Sequence, residues 1–400
     1  MSSSATGLPL SGMRIIAVEH YGAGPYGTGF LADLGADLIK VENRQTGGDV
    51  SRSVGPHYLG DLDSQFFQAF NRNKRSLSLD LKHPGGRAVF HRLVATSNGL
   101  LNNLRGDQPK KLGLRHQDLA EYNPAIVCAH VSAYGNHGER AGWPGYDFLM
   151  QAEAGFLHLS GEPDGPPARM GLSIVDYMTG VTSSLALLAG INQAKETGQG
   201  RDLEVSLYDV AMHQLSYPGV WYLNEGDVTE RAPRSGHPFI VPSQLYRSQD
   251  GWIFIMAQTQ KFWEALCDKI DQPDWKTDPR FLDYEGRFAH RDDLTLMLDA
   301  VLIKRPIAEW LAHFAGEVPA GPVNDMAQAL DNPYFRDRGG VQDVNHPDRP
   351  DFKMINNPIR MDQPIPARPA PKLGADSEDI LSELGYSSDD IAKLRTNNAI

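Results

Sequence analysis

Cysteine is nearly missing from this chain. Two residues in 400, Cys128 and Cys267, match neither a disulfide framework nor a metal-site spacing, and they fit a reducing cytoplasm. The thirteen histidines are scattered, with no HExxH and no Cys/His cluster, so no metal site is expected. The opening MSSSATGLPL lacks the basic and apolar regions of a signal peptide. No apolar run approaches the ~20 residues that cross a bilayer, and the expectation is a cytoplasmic protein without a membrane partner. Positive charge is also short. With 38 Lys and Arg against 50 Asp and Glu, the net charge is −12. That argues against a nucleic-acid backbone as the main partner, while a local basic pocket for an anionic small molecule survives a negative total.

What is there reads as an ordinary globular α/β protein, 41% hydrophobic and 22% charged, long enough for two or three domains of ~150 residues. MRIIAVEH (13–20) is a strand candidate, followed by a glycine-rich turn, the apolar helix pattern TGFLADLGA and a second strand, DLIKVE (37–42). That order is a right-handed βαβ unit opening a parallel sheet. RSLSLDL (75–81), GLLNNL (99–104), AIVCAHVSAYG (125–135) and RDLEVSLYD (201–209) continue the strand theme, and PGGRAVFHRLVATS (84–97) reads as a helix with Pro84 near its first turn. The polar stretch 224–238 looks like a linker, and residues 245–330 form a separate piece with strands around WIFIMAQ and helices such as QKFWEALCDKI and RDDLTLMLDAVLI. Proline density from 347 to 371 predicts an extended connection, and 377–397 predicts two short capped helices. The expected division is a large domain over 1–225, a small inserted α+β domain with its linker over 226–332, and a return over 333–400 that completes the large domain.

Two features carry chemistry. GAGPYG (22–27) is a literal GxGxxG between a strand and a helix, with Glu42 twenty residues beyond Gly22. Three readings stand for it: a dinucleotide fingerprint, a merely tight turn, or a helix N-terminus for another phosphate. No downstream feature supports hydride transfer. The second feature is Asp176, the single acid in MGLSIVDYMTGVTSSLALLAG (170–190). Burying a bare carboxylate is costly unless it is paired or shifts its pKa. It reads either as the N-cap of a helix over 177–196 or as a reactive group.

Five blocks spread from residue 23 to residue 387 decide between these readings: AGPYGTGFLADLGADLIKVE, NRNKRSLSLDLKHPGGRAVFHRLV, PGYDFLMQAEAGFL, EVPAGPVNDMAQAL and RPAPKLGADSEDILSELGYS. Together they resemble the class III coenzyme A transferases (the CaiB/BaiF family), which include formyl-CoA and crotonobetainyl-CoA transferases and the α-methylacyl-CoA racemases. The resemblance displaces the nicotinamide reading. It implies a Rossmann-like large domain, a smaller domain and two subunits threaded through each other as an interlocked homodimer. It also implies no permanently bound cofactor, a coenzyme A thioester as substrate and a small carboxylic acid as the second partner. The family's nucleophile falls on Asp176, which would attack the thioester carbonyl to give an aspartyl anhydride and then an aspartyl-CoA thioester. An ordinary carboxylate, with a pKa of ~4, is ionised at neutral pH and needs no general base.

The resemblance further assigns the CoA site to His20, Ala23, Leu79, Lys82, Asn103, Leu104, Arg105, Lys111 and Tyr146. Leu104 stands where the family usually has an aromatic residue, Lys111 where arginine is frequent, and Asn43 where formyl-CoA transferases have an arginine, with Arg44 next door. Lys82 reads equally as a phosphate contact or a surface lysine. Gly236 and His237 resemble a glycine loop that covers the acyl group, and His237 reads equally as a solvated loop residue. Tyr146 stands where a racemase carries histidine. A phenol, with an ordinary pKa of ~10, is a poor substitute for imidazole at pH 7, so transfer is favoured over α-proton exchange. A CoA-binding protein without catalysis is the remaining class, and Asp176 in its expected block argues against it. The small residues around Asp176 predict open space beside it.

Overall fold

Short apolar runs divided by turn residues build the centre of the molecule. In a computed structural model, described over residues 7–400, six strands share one sheet. They are β1 (Arg14–Val18), β2 (Asp37–Glu42), β3 (Arg75–Ser78), β4 (Gly99–Asn102), β5 (Val127–Ser132) and β6 (Arg201–Ser206). Their spatial order is β3-β2-β1-β4-β5-β6, with every neighbouring pair parallel. Ile16 of β1 lies level with Ile39 of β2 and Leu100 of β4. β4 and β5 are buried along their whole length, which is why they read as continuous apolar runs rather than alternating ones. The strand order reverses between β1 and β4. Sheets of this kind bind ligands beyond the carboxyl ends of the strands at that reversal.

Helix α1 (Ala23–Asp33) leads from β1 to β2, and α2 (Pro84–Ala95) from β3 to β4, with Pro84 in its first turn and the His83 ring accepting from the Gly85 N–H at 3.0 Å. The alternation in RDLEVSLYD predicts a strand to residue 209, but β6 stops at Ser206. There the serine hydroxyl accepts from the Asp209 N–H at 3.0 Å and starts a helix, a local cap that outweighs further alternation. Two further helices matter for the site, α3 (Asp147–Glu153) and α4 (Ile174–Thr197). Contrary to the expectation of no such run, α4 is long and apolar enough to cross a bilayer, with 24 residues and a mean hydropathy of 1.4 in its most apolar stretch. Its Leu187 and Ile191 lie over Gly99 of β4, and its Gly190 lies over Val127 and Leu203, so it packs as a core helix.

The chain divides into two units. The first holds the described residues up to Ala154, with Gly171–Leu215 and Arg336–Ile400; the second holds Gly155–Met170 and Ser216–Phe335. The expected boundary at 225/226 therefore falls one helix too late, after rather than before α5 (Ser216–Glu225), and residues 155–170 also belong to the inserted piece. They are tied to it by pairings that composition does not reveal: His158 to Glu230 at 2.9 Å, Arg231 Nη1 to the Gly165 carbonyl at 3.1 Å, and the Arg234 N–H to Glu162 at 2.9 Å. The second unit is α+β, as expected. β7 (Ser243–Ser248), β8 (Gly251–Met256) and β9 (Ala320–Pro322) form an antiparallel sheet, and α6 (Gln260–Lys269) and α7 (Arg291–Leu302) close a core around Trp263, Phe281 and Leu298.

In the return, part of the predicted extended connection is a hairpin, β10 (Val341–His346) with β11 (Arg349–Ile355). The two tail helices form where expected, α8 (Ser377–Glu383) and α9 (Ser388–Thr396). Ile380, Leu381 and Ile391 join the core of Leu77, Phe90 and Leu93, so the return completes the first unit.

Candidate active site

β1 runs into a tight turn, His20–Gly22, that leads straight into α1. Asn103, just past β4, fixes the turn: its Oδ1 accepts from the His20 N–H at 2.9 Å and its Nδ2 donates to the His20 carbonyl at 2.6 Å. Close approach explains each glycine of GAGPYG. A Cβ on Gly22 would run into Asp176 Oδ2, one on Gly24 would crowd Asn103 and Glu19, and one on Gly27 would strike the Gly180 carbonyl of α4. In a dinucleotide site these spaces admit a pyrophosphate; here protein atoms fill them, one of them an acid. Glu42, the matching ribose partner, is buried and already taken by Arg52 at 2.8 and 2.7 Å and by Ser76 Oγ at 2.6 Å.

Asp176 is the third residue of α4, with Ser173 in the N-cap position, so it is not the cap. That work falls to Asp147, the first residue of α3. Its Oδ2 accepts the Asp176 N–H at 2.9 Å, while its Oδ1 holds Gln151 Nε2 at 2.6 Å. Among the described residues no cation or hydrogen-bond donor relieves the Asp176 carboxylate. Burial, and after it the Asp147 charge, raise its pKa from 3.8 to about 7. The expectation of an ordinary carboxylate is thus corrected: its surroundings shift the ionisation of Asp176 up toward neutral pH.

The expected open space is present, a cleft of about 550 Å³ with Asp176 in its wall. It lies where the topology puts a ligand, beyond the ends of β1, β4 and β5. Of the residues assigned to CoA, it brings together His20, Ala23, Asn103, Leu104, Arg105 and Tyr146, the last 68% exposed. His20 keeps an open side, while loss of hydration lowers its pKa against the pull of Asp49. Three assigned residues stay outside the lining. The Leu79 side chain belongs to the core. Lys82 is exposed on a turn where its N–H donates to Asp80 at 2.9 Å, and Lys111 pairs with Asp107. Asn43 accepts the Gln45 N–H at 2.9 Å in a short turn and Arg44 is exposed.

Gly236 and His237 belong to the second unit. There His237 Nε2 meets Tyr217 Oη at 3.2 Å and Arg291 donates to the His237 carbonyl, while Arg234 pairs with Asp299 at 2.7 Å. Sequence reasoning missed Asp147, the contact role of Gly22, and two wall segments, Val131–Ala133 and Trp143–Gly145. The first wall segment had a signal, the end of a strand next to the order reversal. Nothing in the sequence brings Asp147 to Asp176.

Known proteins resemble this chain over nearly its whole length. The profile of CoA-transferase family III matches residues 10–377. The chain is similar to a succinate--glutarate CoA-transferase of Agrobacterium fabrum, 33% identical over 94% of this chain and 96% of that one. It is also similar to an acetyl-CoA:oxalate CoA-transferase of Acetobacter aceti, 35% identical over 91% and 93%. Among solved structures, a CAIB/BAIF family protein from Brucella suis superposes with a TM-score of 0.81 at 30% identity, covering 95% of this chain and all of that one. With its parallel sheet, its acid on the wall of a cleft and a match over nearly its whole length, this chain belongs to CoA-transferase family III and is an enzyme that transfers CoA between acids.

Proposed function

We propose that the protein moves CoA from an acyl-CoA to a free short dicarboxylic acid, with Asp176 as the covalent carrier. One observation carries the reading: an unrelieved carboxylate with a raised pKa in the wall of a cleft of about 550 Å³. One ionised oxygen of Asp176 attacks the thioester carbonyl, and collapse of the tetrahedral adduct expels CoA thiolate and leaves a mixed anhydride. The thiolate attacks the aspartyl carbonyl, releases the donor's acid as its carboxylate and leaves an aspartyl-CoA thioester. The acceptor carboxylate then attacks that carbonyl and expels the thiolate. The thiolate returns to the acceptor's carbonyl, giving the new acyl-CoA and free Asp176. No proton is gained or lost overall, and the thioester energy survives only while water is kept away.

Gly22, the N-cap of α1, is the residue that lies against the carboxylate, and a helix N-terminus favours the oxyanion of each adduct. Dicarboxylates are favoured because both related enzymes named above carry one in their names. Dimerisation belongs to the same proposal. Leu185 of α4 is 67% exposed, Leu223 of α5 is 81% exposed, and α5 has no buried residue, so both helices offer apolar faces that a second subunit would cover.

Turnover of succinyl-CoA or acetyl-CoA with glutarate, oxalate or succinate in the presence of hydroxylamine tests the carrier. The expected product is a hydroxamate at Asp176, found by mass spectrometry. Turnover with an unmodified Asp176 would overturn it. Deuterium uptake at the α-carbon from heavy water would mark a racemase instead, and Tyr146, not histidine, at the cleft predicts none.

A further inference from the structure

The turn that faces Asp176 is strained. Tyr21 has φ of 67°, a left-handed conformation that is costly for a bulky side chain and persists only where its surroundings enforce it. Asn103 grips the residue before it, as described above. The grip on Tyr21 itself comes from Asp49, whose Oδ1 accepts the Tyr21 N–H at 3.0 Å. We propose that Asp49 is a positioning residue for the transfer reaction: it holds the His20–Gly22 turn in its left-handed shape and so lays Gly22 against the Asp176 carboxylate. The proposal rests on the reading of Asp176 as the covalent carrier.

Asp49 is anchored well enough for this. The same Oδ1 takes the Ser51 N–H at 2.9 Å and Ser51 Oγ at 2.8 Å, and Oδ2 pairs with Lys40 Nζ at 2.8 Å, with both side chains of the pair wholly buried. Lys40 also donates to the Glu19 carbonyl at 3.0 Å, immediately before the turn, and the Glu19 carboxylate is bound by Lys74 at 2.8 Å. Asp49, Lys40, Glu19 and Lys74 lie outside the lining of the cleft, so none of them touches substrate there. A buried ion pair adds little stability compared with an apolar pair of similar size. The geometry gives this one a different use, fixing a backbone on which the nucleophile's placement depends. Misplacing a reacting group by about 1 Å costs on the order of 10²-fold in rate.

Asp49→Ala alone leaves Lys40 buried without its nearest partner and risks unfolding. The informative comparison is therefore between two double variants that both remove the charges. Lys40→Met with Asp49→Asn keeps an amide oxygen for the Tyr21 N–H; Lys40→Met with Asp49→Ala removes the grip. Each is measured by circular dichroism, by affinity for CoA in calorimetry, and by the single-turnover rate of covalent loading of Asp176 from succinyl-CoA. The expected result is similar melting temperatures, CoA affinities within about threefold, and loading at least about 10-fold slower in the alanine pair than in the asparagine pair. Equal loading rates in the two folded pairs overturn the proposal. So does a slow rate restored merely by lowering the temperature, which marks a structural role alone. If the wild type turns over without loading Asp176, the carrier reading fails and the proposal with it. Loading in the wild type with equal rates in the variants fails the proposal alone.

Discussion

Asp49 and Asp176 approach the same turn of backbone and titrate in opposite directions. Burial pushes both carboxyls up. At Asp49, Lys40 and the N–H groups of Tyr21 and Ser51 overcome that and hold the pKa at about 2. At Asp176 nothing overcomes it, and the Asp147 charge adds to it, so the pKa sits at about 7. One acid is satisfied and serves as a fixture. The other is starved of partners, which makes it more basic and leaves its oxygens free to form a bond. Environments that drive two carboxyls apart in this way assign their roles.

The most drastic way to break the comparison is to remove the starved acid. Asp176→Asn should lower CoA transfer by about 10³-fold or more, followed by chromatography of the acyl-CoA products, because an amide cannot carry the covalent intermediate. It should also stabilise the fold. The folded pKa of Asp176 lies above the unfolded value, so ionising it costs the native state nothing below about pH 4, progressively more between about 4 and 7, and the full penalty above. The variant should therefore melt higher than the wild type at pH 8 by roughly 2 kcal/mol, less than the full shift because the carboxyl keeps contact with solvent, and the two should converge at pH 4.

Gly22→Ala moves the same acid without deleting it. Gly22 has φ of −101°, which alanine accepts, and the atom its Cβ would meet is the free end of a side chain. The expected outcome is a kcat reduced by about 10²-fold with a stability loss below about 1 kcal/mol. Gly27→Ala is the contrast in the same motif. Its Cβ would meet backbone, the Gly180 carbonyl, so it should destabilise the fold itself.

These glycines mark how far the sequence could be read. The βαβ opening, the strands and the tail helices were legible because their periodicities are local. The motif GAGPYG was legible as a place where something comes close, but not as to what, since the atoms that fill its spaces come from Asn103, Asp176 and Gly180, far along the chain. Asp176 was identified by its family block and by its isolation among apolar neighbours. Its raised pKa was not legible because burial, the larger cause, comes from the tertiary packing, and Asp147, 29 positions away, meets it only through the packing of α3 beside the start of α4. Residues 155–170 were assigned to the wrong unit for the same reason: their partners lie 66 and 72 positions on. Lys82 and Lys111 carry the charge that a nucleotide needs, yet the lining of the cleft does not include them.

Asp147→Asn sharpens the comparison by easing the starved acid. An asparagine oxygen still accepts the Asp176 N–H, so α4 keeps its cap, while the second cause of the raised pKa disappears. Tyr177, the next residue along α4, has its phenol pushed up by burial and stays neutral through this range. The acidic limb of kcat/KM against pH, set by ionisation of Asp176 in the free enzyme, should move to lower pH by roughly half a unit to one unit. A limb that stays in place would mean that burial alone sets the value.

The smallest effect is expected on the satisfied side, and it should appear in the opposite pH window. The folded pKa of Asp49 lies below the unfolded value, so its contribution to stability is complete above about pH 4 and is lost as the pH falls through about 2. Lys40, whose pKa is raised above its ordinary value despite burial because Asp49, Glu19 and Glu42 surround it, stays charged throughout and adds no slope there. Replacing both with Lys40→Met and Asp49→Asn removes this dependence. The stability of the wild type relative to the double variant, from urea unfolding at a series of pH values, should fall by about 1–2 kcal/mol between pH 4 and 2 and stay flat from 4 to 8. The difference between wild type and Asp176→Asn should instead be flat below 4 and change between 4 and 7. Two carboxyls on one turn would then be separated by experiment into a fixture and a reagent, each recognised by the pH range in which its removal matters.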